Sequence, residues 1–248
     1  MQKLHSILLF SIVTYLISCT SSPSTYPTNM QKAENYMNTR PDSALILLQG
    51  LADSISIYPE ETQMYWHLLT IQAKDKQYIV HTSDSLINQI VQYYEEYGDE
   101  NKLMMAYYYQ GSVYRDMNDV PKALKAFQKA LERKVPNNDL LIKAYNQMGT
   151  LFMYQGLYDE VIRVNRKAIE LYTRQRKETK ASYAWRDIAR MYDMKGKTDS
   201  TFHYYKKACH TALADNDSAR YYGILSESAE VYRKMGMTDS ALQILSLS

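Results

Sequence analysis

The sequence predicts an all-α protein, built as a solenoid of about six helical hairpins. Three observations carry this expectation. First, small residues recur at near-equal spacing, at Gly111, Gly149, Ala189 and Ala229, and each is followed three places later by an aromatic. A repeat of that length is the mark of stacked supersecondary units. Second, the expected start of the second helix echoes along the chain as Pro41-Asp42-Ser43-Ala44-Leu45, Ser83-Asp84-Ser85-Leu86, Thr198-Asp199-Ser200-Thr201 and Thr238-Asp239-Ser240-Ala241-Leu242. Hydroxyls and carboxylates there can accept the free N–H groups of a helix start and favour its positive dipole end. Third, 8 Gly and 6 Pro among 248 residues, with 46% hydrophobic, suit helices joined by short turns. One hairpin cannot bury its own apolar face, so neighbours must stack on it.

Taken in order, the chain opens with a targeting segment, Met1 to Ser18. Lys3 is its positive end, and Ile7 to Ile17 is apolar apart from Ser11 and Thr14. That run is shorter than the roughly 20 residues a spanning helix needs. Residues 19–29, rich in Ser, Thr and Pro from Thr20, read as a tether. The first hairpin is expected over Lys32–Asn38 and Ala44–Leu51, broken at Arg40-Pro41. The second covers Glu60–Lys74 and Ser85–Tyr97, with a loose loop near Tyr78 to Ser83. The third is the most regular: Tyr107-x2-Gln110-Gly111-x2-Tyr114, a turn at Asn118 to Val120, Pro121 where a helix start tolerates a missing N–H, then Ala123-x3-Phe127-x2-Ala130, with Pro136 beyond. Gly111 would let a second helix come close, and Phe127 would fill the space. The fourth hairpin runs Asp139–Gln155 and Tyr158–Tyr172. The fifth and sixth carry Trp185-x2-Ile188-Ala189-x2-Tyr192 and Leu225-x2-Ser228-Ala229-x2-Tyr232, with turns at Gly196 and Gly236. The second helix of the sixth begins at Asp239 and stops at Ser248, so the last hairpin reads as incomplete, or as an edge that docks on another subunit.

The third hairpin resembles the tetratricopeptide (TPR) pattern W-x2-L-G-x2-Y…A-x3-F…P, and the resemblance extends over residues 30–248. It implies a right-handed α-solenoid that binds proteins or peptides. The repeats are somewhat longer than the family's usual period, Ala replaces Gly in two of them, and Trp stands at the first position only as Trp185. The segment Leu16-Ile17-Ser18-Cys19 resembles the lipobox of bacterial lipoproteins, which implies lipid attachment at Cys19 and cleavage before it; an ordinary secretory signal with an incidental Cys is the alternative. Together these features resemble TPR lipoproteins of the Bacteroidetes type. No Asp follows Cys19, which resembles outer-membrane sorting and implies a lipid-anchored protein of the bacterial cell envelope facing the periplasm. Its implied partners are the membrane, through the anchor, and an envelope protein or peptide.

Net charge is +2, with 29 Lys+Arg against 27 Asp+Glu, and no stretch is densely basic, which argues against nucleic acid. No catalytic constellation, phosphate loop or nucleophile motif is present, so the chain reads as no enzyme, with no cofactor and no metal. His203 and His210 lie seven apart on one expected helix, but two ligands do not make a zinc site. Cys209 reads as a packed thiol. The binding surface is expected on the first helices. Positions one, five and eight places after the first aromatic of each motif should face a concave groove: Tyr108, Ser112 and Arg115; Asn146, Thr150 and Met153; Arg186, Arg190 and Asp193. Of these, Tyr108, Arg115, Asn146, Met153, Arg186 and Arg190 are the candidate partner groove. Asn146 could bond a peptide backbone, and Arg186 with Arg190 could hold a carboxylate. Internal pairing of Arg190 with Asp187 or Asp193 is the competing reading. The Lys and Asn pattern of the family's carboxylate clamp is missing. The 24 Tyr leave open a glycan-binding accessory lipoprotein as the alternative function, and a sensory role in signalling is a variant of the first.

Overall fold

A computed structural model describes residues 26–133, 135 and 139–236. Among them are eleven α-helices, two short 3-10 turns and no strand: α1 Thr28–Tyr36, α2 Pro41–Gln49, α3 Glu60–Lys76, α4 Ser85–Tyr97, α5 Glu100–Asp116, α6 Val120–Leu131, α7 Asp139–Tyr154, α8 Tyr158–Arg174, α9 Ser182–Met194, α10 Thr198–Ala214 and α11 Ser218–Lys234. Consecutive helices pack against one another from α1 to α11. This is the expected solenoid: five hairpins, followed by the first helix of a sixth. Cys19, most of the tether, Pro136 and the Asp239–Ser248 segment lie outside the described residues.

The folded body starts earlier than the sequence suggested. Thr28 and Asn29 are already helical, and Tyr26 is anchored rather than part of a tether. Its ring lies 5.0 Å from that of Tyr65, its hydroxyl donates to Glu61 at 3.0 Å, and Lys102 donates to it at 2.7 Å. An amphipathic tyrosine can make both kinds of contact at once.

The interior explains the preference for Tyr over Phe. Tyr65, Tyr107 and Tyr205 bury their rings, and each hydroxyl donates to a carboxylate on a neighbouring helix: Glu34, Glu95 and Glu227. Burial, and then the carboxylate, push all three phenols up, so they stay protonated donors. At Gly111 the expected close approach is present. A Cβ built there would lie 2.6 Å from two ring atoms of Phe127, which is fully buried.

Two local features depart from the sequence reading. Of the repeated Asp-Ser segments, the last lies outside the described residues, and in the other three Arg40, Asp84 and Lys197 occupy the N-cap positions without a side-chain capping bond; only Ser83 Oγ accepts a helix-start N–H, that of Ser85 at 3.3 Å. Asp42 and Asp199 instead sit in the first turn, where they act on the dipole. Among the described residues the N-caps that bond through their side chains are Asp99, Asp119 and Asp217, at α5, α6 and α11. The second departure is at the first-helix ends. Gly156, Gly196 and Gly236 are left-handed, as expected for turns, but so are Tyr78 (φ 58°) and Asn118 (φ 59°) at the equivalent positions. The first four along the chain close the same loop: Ile79 N–H donates to Lys74 O, Asp119 to Tyr114, Leu157 to Phe152 and Lys197 to Tyr192, at 2.9–3.0 Å. These are Schellman-type ends. Tyr78, Asn118, Gly156, Gly196 and Gly236 follow one another at the spacing of the repeat, so one turn is reused along the stack.

Successive first helices touch (α1–α3, α3–α5 and α5–α7), whereas successive second helices make no comparable contact among the described residues. From α1 to α7 the stack is therefore tighter along its first helices, as expected where they line the inner face.

Candidate partner groove

The inner face is built from first-helix positions just before the turns, so the turn geometry sets which side chains meet. At the α3–α5 end, Asp75, Lys76, Arg115, Asp116 and Gln147 line a cleft of about 550 Å³ together with Met37, Pro41 and the exposed loop Tyr78-Ile79-Val80. Arg115 is fully engaged there. It donates to Asp75 at 2.9 Å, to Asp116 at 2.7 and 3.1 Å, and to Gln147 at 3.2 Å. Asp116 also accepts the backbone N–H of His81 at 3.1 Å and lies 2.8 Å from its Nδ1. Burial raises the Asp116 pKa, but the bonds from His81 and Arg115 outweigh it and hold the carboxyl below its usual range. Lys76, whose Nζ donates to Asn38 at 2.9 Å, is lowered by burial and then by Lys143.

A second cleft, of about 390 Å³, opens further along the same face between α7, α9 and α11. Met153, Tyr158, Met191, Met194 and Val231 supply its apolar wall, and Arg190, Asp193, Tyr205, Glu227, Glu230 and Lys234 its polar groups. Glu227 is held by a two-pronged Arg190, with Nη2 to Oε2 at 2.7 Å, and accepts the Tyr205 hydroxyl at 2.7 Å. Burial pushes the Glu227 carboxyl up, but Arg190 and Tyr205 pull it below the usual glutamate range.

Of the six expected groove residues, Met153 and Arg190 line the second cleft and Arg115 the first. Asn146 is exposed, as is Thr150. Tyr108 is a correction. It is buried, 3% exposed, and so is Ser112 at 0%. It lies where α3 and α5 meet, in the most extensive contact between successive first helices. Tyr108 then packs against Tyr109 and Phe127, at ring distances of 5.0 and 5.6 Å. With Tyr107, Tyr108 and Tyr109 all buried, that triplet offers no platform for sugar stacking.

The arginine pair is a second correction. Arg186 is engaged by Asp187 at 2.8 and 3.0 Å, and Arg190 by Glu227, with Asp187 at 3.5 Å. The protein supplies its own carboxylates, so this pair does not wait for a ligand's. Sequence reasoning missed Asp75, Asp116, His81 and Glu227. The signal for the first was available, because Asp75 precedes Arg115 by one full repeat.

Residues 105–134, from the middle of α5 through α6, match the tetratricopeptide repeat. No curated protein matches the chain. Among solved structures it is similar to a Signal Transduction ATPase with Numerous Domains (STAND) protein with a tetratricopeptide repeat sensor from Pyrococcus horikoshii, at 16% identity and a TM-score of 0.64 over 88% of this chain and 34% of that one. BtubC from P. vanneervenii gives 15% identity and a TM-score of 0.60 over 87% and 91%. The nearly identical TPR-like repeats of a Podosopora anserina protein give 11% and 0.57 over 75% and 94%. At these identities the likeness is one of fold. No catalytic family is indicated.

Proposed function

We propose that this protein is a lipid-tethered interaction scaffold of the bacterial cell envelope, holding a protein or peptide partner along the inner face of its first helices. The observation that carries this reading is the pair of clefts along one helix face, each combining apolar walls with fixed charges. Such a mixture suits a polypeptide, whose side chains alternate in character, better than a small uniform ligand. The extended inner surface is the one repeat curvature creates for binding. For the tether, the support is the Leu16-Ile17-Ser18-Cys19 segment: several acyl chains at about 0.8 kcal/mol per buried CH2 anchor firmly.

Site-specific photocrosslinking in cells tests the groove. A photoreactive residue at Val80 or Met194, one in each cleft, should give the same discrete adduct, and one at Lys206 on the exposed side of α10 should not. Adducts of equal yield from all three positions would remove the groove assignment. Labelled palmitate should enter the natural chain and not Cys19→Ala; equal labelling would remove the tether.

A further inference from the structure

The geometry points to a specific occupant for the second cleft: an arginine side chain of the partner, with Asp193 as its counter-ion. This deepens the groove reading and rests on it.

The protein's own repeats show how such a carboxylate is used. Asp75, Arg115, Met153, Asp193 and Arg233 stand at one repeat position, each four places after Ile71, Gly111, Gly149, Ala189 and Ala229 in turn. At the first two, the carboxylate of one repeat receives the guanidinium of the next: Asp75 and Arg115, one repeat apart, meet at 2.9 Å. The same spacing separates Asp193 from Arg233, but Arg233 turns away. It bonds Glu230 on its own helix, through Nε and Nη2, each at 2.7 Å. The Asp193 carboxylate is left with no hydrogen bond or ion pair among the described residues, and it faces the cleft of about 390 Å³.

The other charges lining the cleft are already answered. Arg190 and Tyr205 hold Glu227; Glu230 holds Arg233 and lies 3.9 Å from Lys234. The uncovered charge is therefore a single carboxylate, and a cation complements it. The wall argues for a long-stemmed cation. Met153 replaces the arginine of the preceding repeat, and with Met194 and Tyr158 it offers polarizable surface to a methylene stem and to a planar guanidinium face. Residues 237–248 contain no Lys or Arg, so that segment does not supply the cation.

The test is a binding titration of the full chain in detergent with a capped peptide, acetyl-Gly-Leu-Arg-Leu-Gly-amide, against the same peptide with neutral citrulline in place of arginine. The arginine peptide should bind saturably, and citrulline should weaken it at least tenfold. Asp193→Asn should cause a similar loss with unchanged melting, since its side chain makes no hydrogen bond or ion pair among the described residues. Glu230→Ala should also weaken binding, because it frees Arg233 to take the seat beside Asp193. Glu170→Gln, on the exposed side of α8, should change nothing. Equal binding of the two peptides, or no effect of Asp193→Asn, overturns the arginine seat and leaves the photocrosslinking result untouched. Loss of the Val80 and Met194 adducts strikes the groove reading itself.

Discussion

Gly111 and Gly149 occupy the same repeat position, yet alanine should act in opposite directions at the two. At Gly111 the new methyl would lie 2.6, 2.6 and 2.8 Å from three atoms of the Phe127 ring, against about 3.5–4.0 Å for relaxed carbon contacts. Phe127 has no exposure and no open side to retreat into. Overpacking of this kind costs about 1–3 kcal/mol, and a wedged, fully buried ring belongs near the top of that range. Replacing a helical glycine by alanine returns about 1 kcal/mol, so the net loss should be roughly 1–2 kcal/mol. At Gly149 the nearest groups are Asn165 Nδ2 at 3.3 Å and Val164 Cγ2 at 3.4 Å. Asn165 and Val164 are buried and Asn165 Nδ2 bonds Val161 O at 2.9 Å, but the shift needed is only a few tenths of an ångström, far less than at Gly111, so Gly149→Ala should gain up to about 0.5–1 kcal/mol. Thermal unfolding of the full chain should show Gly111→Ala melting roughly 2–8 °C lower and Gly149→Ala a few degrees higher. Hydrogen exchange should place the first loss in α5 and α6. Gly111→Ala/Phe127→Leu should recover part of it by removing the ring. A Gly111→Ala protein as stable as the natural chain, or two variants shifting alike, would refute the close-packing argument.

Tyr78→Gly should raise stability by about 0.5–1 kcal/mol, because it relieves left-handed strain of about 1–2 kcal/mol, partly offset by unfolded-state entropy; Tyr78 is 93% exposed and contributes little packing, and a lower melting temperature would contradict this. Burial pushes the Cys209 thiol up to about 11, so alkylation near pH 8 should be slow in the native chain and fast after unfolding, as read by mass spectrometry. The carboxyls of Asp116 and Glu227 are depressed in the folded state, so their contribution is present at neutral pH and is lost as pH falls from about 4 through the folded values; acid unfolding curves should steepen there, and Glu227→Gln should flatten the decline while lowering stability at pH 7.

The hairpin register was legible because it rests on local requirements: a small residue where Phe127 or Tyr205 approaches, and a turn residue that tolerates positive φ. The turn at Asn118 was legible too, whereas the one at Tyr78 was hidden inside a loose loop because the residue is not glycine, although it lies two repeats back from Gly156. The groove was legible only in part. Helical periodicity fixes which way Tyr108 points, but whether that direction meets water depends on the distance between α3 and α5. That distance belongs to the stacked pair, and the pattern within either helix does not carry it. The side chains that hold the arginines were harder still, since Arg190 and Glu227 lie on separate helices whose facing surfaces must first be stacked.

Those one-repeat links also bear on how a stack of this kind can both hold its register and bind. Lys76 meets Asn38, Arg115 meets Asp75, Lys177 meets Asp139, Arg166 meets Tyr204 and Arg190 meets Glu227, each pair about one repeat apart. The exposed links contribute about 0–1 kcal/mol each, and Arg115–Asp75 and Arg190–Glu227 are only part-buried, so together they remain secondary to the apolar interfaces that dominate a one-dimensional stack. Their effect is selective: a slip of one helix turn between repeats would break several of them together. Register is thus over-determined, and a single link can be omitted without loosening the stack. Between α9 and α11 the Arg190–Glu227 pair keeps the alignment, which leaves Asp193 free of that task. Restoring the omitted link with Glu230→Ala should therefore change melting little, while closing the seat beside Asp193. A large gain in stability from that variant would show instead that the stack had been short of a link there, and that Asp193 serves alignment rather than recognition.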